Sequence, residues 1–346
     1  MPDSSAGLTY GAAGVDREVA ARAKSRIAQL VESTRTADVV SRAGGFGGLF
    51  RVPSGYRTPI MVSSADGVGT KLKVAIMAGR HDTVGTDLVN HCVNDILVEG
   101  ARPLFFLDYI GMGRLEQGTV EALVEGLAEG CRNNECVLLG GETAEMPDFY
   151  APGEYDLAGF IVGMVDEDAR PGAHRVRAGD VLIGFESSGF HTNGYSLLRA
   201  LFFERLGMSI DDRYPGSDDT LADVLLRPHR SYAPTLLPLI ANGRVRALSH
   251  ITGGGIPENL VRVLPDGVGA RIDAASWTVP QEFATVQHLG KVESDEMFLT
   301  FNMGVGMIAA VAHEDADRVL AELRTGGEPA WVMGAVEAGA REVTIA

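Results

Sequence analysis

SSADGVGTKLKVAIMAGRHDTVGTDLVNHCVNDILVE, residues 63–99, is the stretch that decides the fold. The apolar run at residues 59–62, just before it, is typical of a buried strand. Acidic, glycine, hydroxyl and lysine side chains follow within a few residues (Asp66, Gly67, Gly69, Thr70, Lys71). Glycine N–H groups can hold a phosphate, lysine adds positive charge, and aspartate suits Mg²⁺. Because ligands of α/β folds bind where strands end, we expect a phosphate-binding loop here.

The second part of this stretch predicts a helix with two faces. One face is apolar, with residues spaced by four (Val84, Leu88, Cys92, Ile96). The other carries possible oxygen and nitrogen ligands (Asp87, Asn90, His91, Asn94, Asp95). At about 100° per residue these five side chains share one side of a helix. Two interpretations stay open, namely an ordinary polar helix surface and a nucleotide–metal site shared with the Asp66 loop.

The length and the order of predicted elements indicate two domains of the α/β (α+β) class. At roughly 150 residues per domain, 346 residues correspond to two. A polar segment with proline and glycine, residues 166–180, separates two apolar strand patterns. The predicted domains are therefore residues 1–170 and 171–346.

Net charge and hydropathy limit the classes of partner that this protein is expected to bind. The formal net charge of −16 disfavours a nucleic-acid partner and an anionic membrane surface. A phosphorylated small molecule stays possible, because local N–H groups and a few cations can bind it. No apolar run approaches about 18 residues, and no basic segment followed by an apolar one begins the chain. We therefore expect a cytoplasmic protein without a membrane partner.

Further glycine-rich polar turns follow predicted strands along the chain. They lie at residues 140–147, 186–194 and 250–260, and a glycine-rich segment without a preceding strand covers residues 44–50. The last is either a turn that needs positive φ or a loop that covers a phosphate. His191 suits proton transfer but equally suits a structural role. Residues 298–311, FLTFNMGVGMIAAV, are broken by glycines, which predicts paired strands or a bulged strand.

Several common nucleotide and hydrolase motifs are missing. Thr70 precedes Lys71, so the G-x-x-x-x-G-K-[ST] order of a P-loop fails. No G-x-G-x-x-G follows a strand, and no G-x-S-x-G occurs.

The ordered motifs nevertheless resemble one family across nearly the whole chain. They are Y-G-A-A-G-V-D at 10–16, A-D-G-V-G-T-K at 65–71, D-L-V-N-H-C-V-N-D-I at 87–96, P-L-F-F-L-D-Y at 103–109, G-G-E-T-A-E-M-P at 140–147, S-S-G-F-H-T-N-G-Y-S-L at 187–197 and T-G-G-G at 252–255. This set is similar to the phosphoribosylformylglycinamidine cyclo-ligase (aminoimidazole ribonucleotide synthetase) family.

The resemblance implies a reaction and an assembly. Formylglycinamidine ribonucleotide would be cyclised to 5-aminoimidazole ribonucleotide in purine biosynthesis, with ATP converted to ADP and phosphate. Such phosphoryl transfer depends mainly on positioning and on charge neutralisation by Mg²⁺ and cations. The resemblance also implies a homodimer, in which two N-terminal sheets pair into a shared barrel, and a sandwich-like C-terminal α/β domain.

The resemblance also implies residue roles. Catalytic roles fall on His191, Asp95 and Lys71. ATP binding falls on Asp66, Gly67, Val68, Gly69, Thr70, Lys71, Gly45, Gly47, Asp87 and Asn94. Substrate binding falls on Ser188, Gly189, His191, Thr192, Asn193, Thr252, Gly253, Gly254 and Gly255. Metal binding falls on Asp66, Asp95 and Glu142.

Some features leave alternatives. Some family members carry a lysine linked to ATP where this chain has Ala28, with Lys24 one turn earlier, so that role is not assigned. Related families include selenophosphate synthetase, thiamine-monophosphate kinase and a hydrogenase maturation enzyme. The first expects a cysteine at residues 44–50, where this chain has none. A nucleotide-binding regulatory protein without turnover is the alternative from another class.

Overall fold

The computed structural model describes residues 17–41 and 45–346, with side chains described from residue 25 onward. The motif at residues 10–16 and the Lys24 side chain lie outside the described residues. Within the described part of the chain, no helix is long and apolar enough to cross a membrane.

The N-terminal half builds one sheet covered by helices. Its elements are α1 (Arg17–Glu32), β1 (Pro59–Gly67), α2 (Lys71–Ala78), α3 (Asp82–Leu97), β2 (Arg102–Met112), α4 (Gln117–Asn133), β3 (Val137–Glu145) and β4 (Tyr155–Asp166). The strand order is β1-β4-β2-β3, with β2 and β3 parallel and the other pairs antiparallel. β1 and β3 are therefore the two edges among the described strands.

The C-terminal half builds a second mixed sheet with helices on both faces. Its elements are β5 (Val181–Glu186), α5 (Tyr195–Arg199) continued by a π-helical turn (Ala200–Arg205), α6 (Leu221–Leu225), α7 (Ala233–Ala241), β6 (Ala247–His250), α8 (Gly255–Leu260), β7 (Val268–Ile272), α9 (Gln281–Gly290), α10 (Ser294–Thr300), β8 (Val305–Val311), α11 (Ala316–Thr325), β9 (Ala330–Ala338) and β10 (Val343–Ile345). The order of the described strands is β10-β7-β9-β5-β8-β6.

The predicted two-faced helix is confirmed as α3. Its apolar residues Val84, Leu88, Cys92 and Ile96 are at most 1% exposed. Burying a side chain of this size contributes roughly 1.5–3 kcal/mol. α3 also packs closely on α4, because a Cβ on Gly126 would lie 1.8 Å from the Asp82 carbonyl oxygen. One apolar core continues from this helix into the C-terminal half, where it includes Leu248 and Phe301.

One prediction about strands is wrong, and another is confirmed only in part. The strand that begins at Pro59 is not buried, since Met61 is 61% exposed and β1 is an edge strand. It also continues to Gly67, so only residues 68–70 form the turn. Residues 298–311 are not paired strands, because α10 ends at Thr300 and β8 begins at Val305. The alternative of a bulged strand is confirmed for β8, whose register against β5 shifts at Gly306.

Candidate active site

The polar face of α3 points at the C-terminal half rather than at solvent. Asp87 and Asn94 are fully buried, and Asn90 and His91 are each 7% exposed. Asp95, one turn from His91, keeps 30% of its side chain exposed. The face therefore divides into a buried part, formed by Asp87, Asn90 and Asn94, and an open part, formed by Asp95 and the neighbouring His91.

The buried part holds the main chain of residues 227–232, which we call the docked segment. The Asp87 carboxylate accepts the N–H of His229 at 2.6 Å, and the Asn90 amide donates to the His229 carbonyl at 2.6 Å. Asn94 donates to the Arg230 carbonyl at 2.8 Å and accepts the N–H of Tyr232 at 3.0 Å. These bonds fix the docked segment on α3.

Lys71 belongs to the same contact. Its side chain is fully buried, and its ammonium donates to Asp87 at 2.9 Å. It also donates to the carbonyls of His191 at 3.0 Å and Arg227 at 2.8 Å. Burial lowers the pKa of Lys71 and raises that of Asp87, while their mutual attraction opposes both shifts. Three acceptors require three N–H groups, so the pair is ionic.

This arrangement bears on three sequence predictions. Lys71 uses its three N–H groups within the protein, so it presents none to an ATP phosphate. Asp87 and Asn94 likewise have their polar atoms engaged by main-chain groups and by Lys71. In this structure these residues join the two halves, and their roles in ATP binding stay predictions.

The open part of the face belongs to a chain of hydrogen bonds that runs between two carboxylates, Asp66 of β1 and Asp95 of α3. The Asp66 carboxylate lies 2.9 Å from Nε2 of His91, whose Nδ1 lies 3.0 Å from the Thr192 hydroxyl. That hydroxyl lies 3.3 Å from Nδ1 of His229, and Nε2 of His229 lies 3.0 Å from Nε2 of His250. Nδ1 of His250 completes the chain 2.8 Å from Asp95, which also accepts from Ser64 at 3.0 Å.

The chain from Asp66 to Asp95 requires an additional proton. Each of its four inner groups supplies one proton when neutral, whereas five hydrogen bonds connect it. Burial lowers the pKa of His91, but the hydrogen bond to Asp66 and the charge of Asp95 outweigh burial and raise it above its usual value. Burial and the neighbouring His191 hold the pKa of His229 well below its usual range. The additional proton therefore belongs on His91.

His191 lies behind the chain of hydrogen bonds from Asp66 to Asp95. It is 1% exposed, its ring stacks on His229 with centroids 3.9 Å apart, and its Nε2 accepts the N–H of Ser188 at 3.2 Å. Burial and nearby cations hold its pKa well below the usual range, so the ring is neutral. Its Nδ1 has no partner among the described residues. The backbone at His191 is left-handed (φ 58°), which costs energy for a non-glycine residue.

The predicted substrate loops meet beside this chain of hydrogen bonds. The Ser188 hydroxyl donates to the Pro228 carbonyl at 2.5 Å, which ties its loop to the docked segment. The Asn193 side-chain oxygen lies 3.5 Å from where a Cβ on Gly253 would stand, so the loops at 187–194 and 252–255 are neighbours. A Cβ on Gly255 would lie 1.7 Å from the Phe298 carbonyl, which only glycine permits.

The loop at residues 67–70 also reaches the C-terminal half. Thr70 is exposed, and its hydroxyl lies 3.3 Å from that of Ser196. Asp66 is 42% exposed and accepts the N–H of Gly67 at 2.7 Å. Burial raises the pKa of Asp66, but the hydrogen bond to His91 outweighs it and lowers the pKa below its usual value. Asp66 is therefore an ionised, accessible carboxylate.

Glu142, Gly45 and Gly47 lie elsewhere. Glu142 is exposed on β3, three strands from β1, and strands stand about 4.8 Å apart, so about 14 Å separates it from Asp66 within one chain. Gly45 and Gly47 line a cavity of about 760 Å³ beside β3. Asp108 lines the same cavity, and burial raises its pKa to about 7.

Sequence reasoning missed His229, His250 and the docked segment. His250 lies two residues before T-G-G-G, so its position beside a glycine-rich turn was an available signal. His229 had no such signal. Its own main-chain groups contact Asp87 and Asn90 of α3, which lie about 140 residues earlier in the sequence.

Comparison with known proteins decides the family. Two family models match, "AIR synthase related protein, N-terminal domain" over residues 50–165 and "AIR synthase related protein, C-terminal domain" over residues 177–346. The phosphoribosylformylglycinamidine cyclo-ligase of Trichlorobacter lovleyi is 49% identical over 337 residues, 97% of either chain. That of Geobacter metallireducens is 50% identical over 341 residues, 97% of this chain and 98% of the other. This chain belongs to the phosphoribosylformylglycinamidine cyclo-ligase family. The resemblance seen in the sequence motifs is confirmed.

Solved structures with low sequence identity share the fold of this cyclo-ligase family member. A thiamine-monophosphate kinase from Stenotrophomonas maltophilia superposes with a TM-score of 0.67 at 17% identity, covering 96% of each chain. The hydrogenase maturation protein HypE in complex with ATP superposes with a TM-score of 0.66 at 16% identity, covering 91% of this chain and 88% of the other. At these identities the likeness concerns the fold alone.

Proposed function

We propose that this chain carries out its family's reaction, the ATP-dependent cyclisation of formylglycinamidine ribonucleotide to 5-aminoimidazole ribonucleotide in purine biosynthesis. The formyl oxygen accepts the terminal phosphoryl group of ATP, an amidine nitrogen attacks the activated carbon, and phosphate leaves with that oxygen. The observation that carries the proposal is that the carboxylates of Asp66 and Asp95 meet the loop at 187–194. The contacts run through His91, Thr192 and His250. The sequence is also about half identical to the curated cyclo-ligases.

The two accessible carboxylates fit a magnesium role. Asp66 and Asp95 retain exposed oxygens at the junction of the halves, and carboxylate oxygens are ligands that Mg²⁺ prefers. A bound ion would neutralise charge on the phosphates during transfer. The main chain of residues 67–70 starts α2 beside these oxygens and supports binding of the ATP phosphates there.

Glu142 fits the same site only if another chain supplies it. The outward face of the N-terminal sheet is apolar at Met61, 61% exposed, and at Phe160, 46% exposed. An unpaired edge strand next to an apolar sheet face favours pairing with a second sheet. We propose that a homodimer covers this face in a shared barrel and brings one subunit's Glu142 towards the other subunit's Asp66.

The cavity beside β3 is the proposed site for the adenosine part of ATP. Its volume of about 760 Å³ is in the range of small-molecule pockets. Gly45 and Gly47 stand at its wall, and the Asp108 carboxyl offers a polar group for an amine.

The domain boundary near residue 170 is supported by the gap between the family matches, which end at 165 and begin at 177. Location in the cytoplasm stays a prediction.

A coupled assay tests the function. Purified protein, ATP, Mg²⁺ and formylglycinamidine ribonucleotide are mixed, and free phosphate and diazotisable aminoimidazole are measured together. We expect equal amounts of the two, abolished by Asp95→Asn and kept by Asp266→Asn, whose side chain is 99% exposed. Phosphate without aminoimidazole would contradict the proposal, as would ATP binding without either product.

A further inference from the structure

The open part of the α3 face contains more nitrogen ligands than a magnesium site needs. One ligand atom from each of His91, Asp95 and His250 lies within 4.8 Å of the other two. Asp66 adds a carboxylate oxygen 2.9 Å from Nε2 of His91. Ligand atoms around one ion stand about 3 Å apart, which follows from metal–ligand bonds of 2.0–2.2 Å. The ligand atoms of His91, Asp95 and His250 would therefore have to move closer together to hold a single ion, with Asp66 beside His91.

Outer hydrogen bonds fix how the two rings point. Thr192 holds Nδ1 of His91 at 3.0 Å, and His229 holds Nε2 of His250 at 3.0 Å. The other nitrogen of each ring faces a carboxylate, Asp66 at 2.9 Å and Asp95 at 2.8 Å. Metal-binding histidines are usually held in this way, with one nitrogen on the ion and the other on a partner.

We propose that His91, Asp95 and His250, joined by Asp66, form a binding site for a free transition-metal ion of the Mn²⁺, Co²⁺ or Zn²⁺ class. Two imidazoles with carboxylates suit these ions, whereas Mg²⁺ prefers an all-oxygen shell with several waters. The ion replaces the protons that now lie between the rings and the carboxylates, and these protons pass to solvent. His91 and His250 are 7% and 6% exposed, so the ion reaches them from the side of the more exposed carboxylates.

This site goes beyond the proposed Mg²⁺–ATP role, although it shares Asp66 and Asp95 with it. Binding requires neither nucleotide nor turnover, because four protein groups supply the ligands. An ion held by the histidines also occupies both carboxylates, so Zn²⁺ should inhibit cyclisation in competition with Mg²⁺–ATP.

The test measures ion binding to the full chain without ATP. Co²⁺ is followed by its visible absorption and Zn²⁺ by calorimetry, in wild type, His91→Gln and His250→Gln. His313→Gln, at an exposed position, is the matched control. We expect one ion per chain, a Kd raised at least tenfold in either site variant, no change in the control, and retention of Co²⁺ in a hundredfold excess of Mg²⁺.

A second variant separates ligand loss from misfolding. Thr192→Val keeps all four ligands but removes the hydrogen bond that orients His91, and loss of such a partner typically weakens binding 10–100-fold. Circular dichroism verifies that each variant is folded. Three results would each overturn the proposal: no binding by folded wild type, binding by His91→Gln and His250→Gln as tight as that of wild type, or displacement of Co²⁺ by equimolar Mg²⁺. Since the cyclisation assay is run separately with Mg²⁺ and ATP, none of these results affects the proposed function.

Discussion

The two parts of the polar face of α3 differ in what satisfies their side chains. Asp87, Asn90 and Asn94 are buried and bonded to the main chain of the docked segment. His91 and Asp95 are bonded to other side chains, in a chain that ends on carboxylates open to solvent. One helix face thus both joins the two halves and presents ionisable groups to a ligand. The exposure of the end groups, rather than the residue type, separates the two roles.

The largest effect is expected at the open part. Asp66→Asn keeps the size of the side chain but removes a charge that we assign to Mg²⁺, so kcat in the coupled assay should fall by about 10³-fold or more, a magnitude typical of a lost electrostatic contact in the transition state. The free energy of unfolding should change little, because Asp66 is 42% exposed. Asp266→Asn serves as control. A decrease of less than tenfold would remove Asp66 from the site.

A large effect on stability is expected at the buried part. Lys71→Met leaves the Asp87 carboxylate buried without its counter-charge, which typically costs about 3–5 kcal/mol. Urea unfolding followed by circular dichroism measures this loss, with Lys291→Met at an exposed position as control. Adding Asp87→Asn to Lys71→Met should restore part of the stability. Equal stability of Lys71→Met and wild type would show that the buried pair does not join the halves.

A smaller loss is expected when one amide of the buried part is removed. Asn90→Ala leaves the His229 carbonyl and the Asn134 amide, 2.7 Å from Asn90, without their partner. An unsatisfied buried group costs about 1–3 kcal/mol, so the free energy of unfolding should fall by that order. The KM for ATP should stay unchanged. A raised KM with unchanged stability would instead place Asn90 in a nucleotide site.

The smallest effect is expected in the pH dependence of stability. The folded pKa of His91 lies above its usual value of 6.5, so its ionic contacts stabilise the fold fully below pH 6.5 and are lost as pH rises through the folded pKa. The stability difference between wild type and His91→Gln, without added metal, should therefore shrink between pH 6 and pH 9. Urea titrations at several pH values measure it, and a difference that grows with pH would contradict the assigned proton.

The sequence predicted α3 and its two faces because the period of apolar residues is a local property. It did not predict that β1 is an edge strand, since a run such as residues 59–62 has the same composition whether another strand covers it or not. Only the beginning of residues 298–311 was misassigned, because α10 begins upstream, at Ser294, and its last turn falls within the glycine-broken pattern.

The candidate site was predicted only in part, again because sequence patterns do not show which distant segment packs against a residue. Asp and Asn suit both a metal ion and a main-chain segment, and sequence spacing alone does not show which of them approaches. Asp87 and Asn94 receive the docked segment from the other half, whereas Asp95 receives His250. Glu142 and Asp66 looked like one set because both follow strands, but their strands stand at opposite edges of the sheet.

The most direct test compares two adjacent residues, Asn94→Ala and Asp95→Asn, for both turnover and unfolding free energy. Asn94→Ala should lower the free energy of unfolding by about 1–3 kcal/mol, the cost of leaving buried main-chain groups unpaired, with kcat within a few-fold of wild type. Asp95→Asn should abolish aminoimidazole formation while the free energy of unfolding stays within about 1 kcal/mol, the range of a partly exposed ion pair. If both variants lose turnover at unchanged stability, the two parts of the α3 face form one ligand site, which would contradict their separate roles.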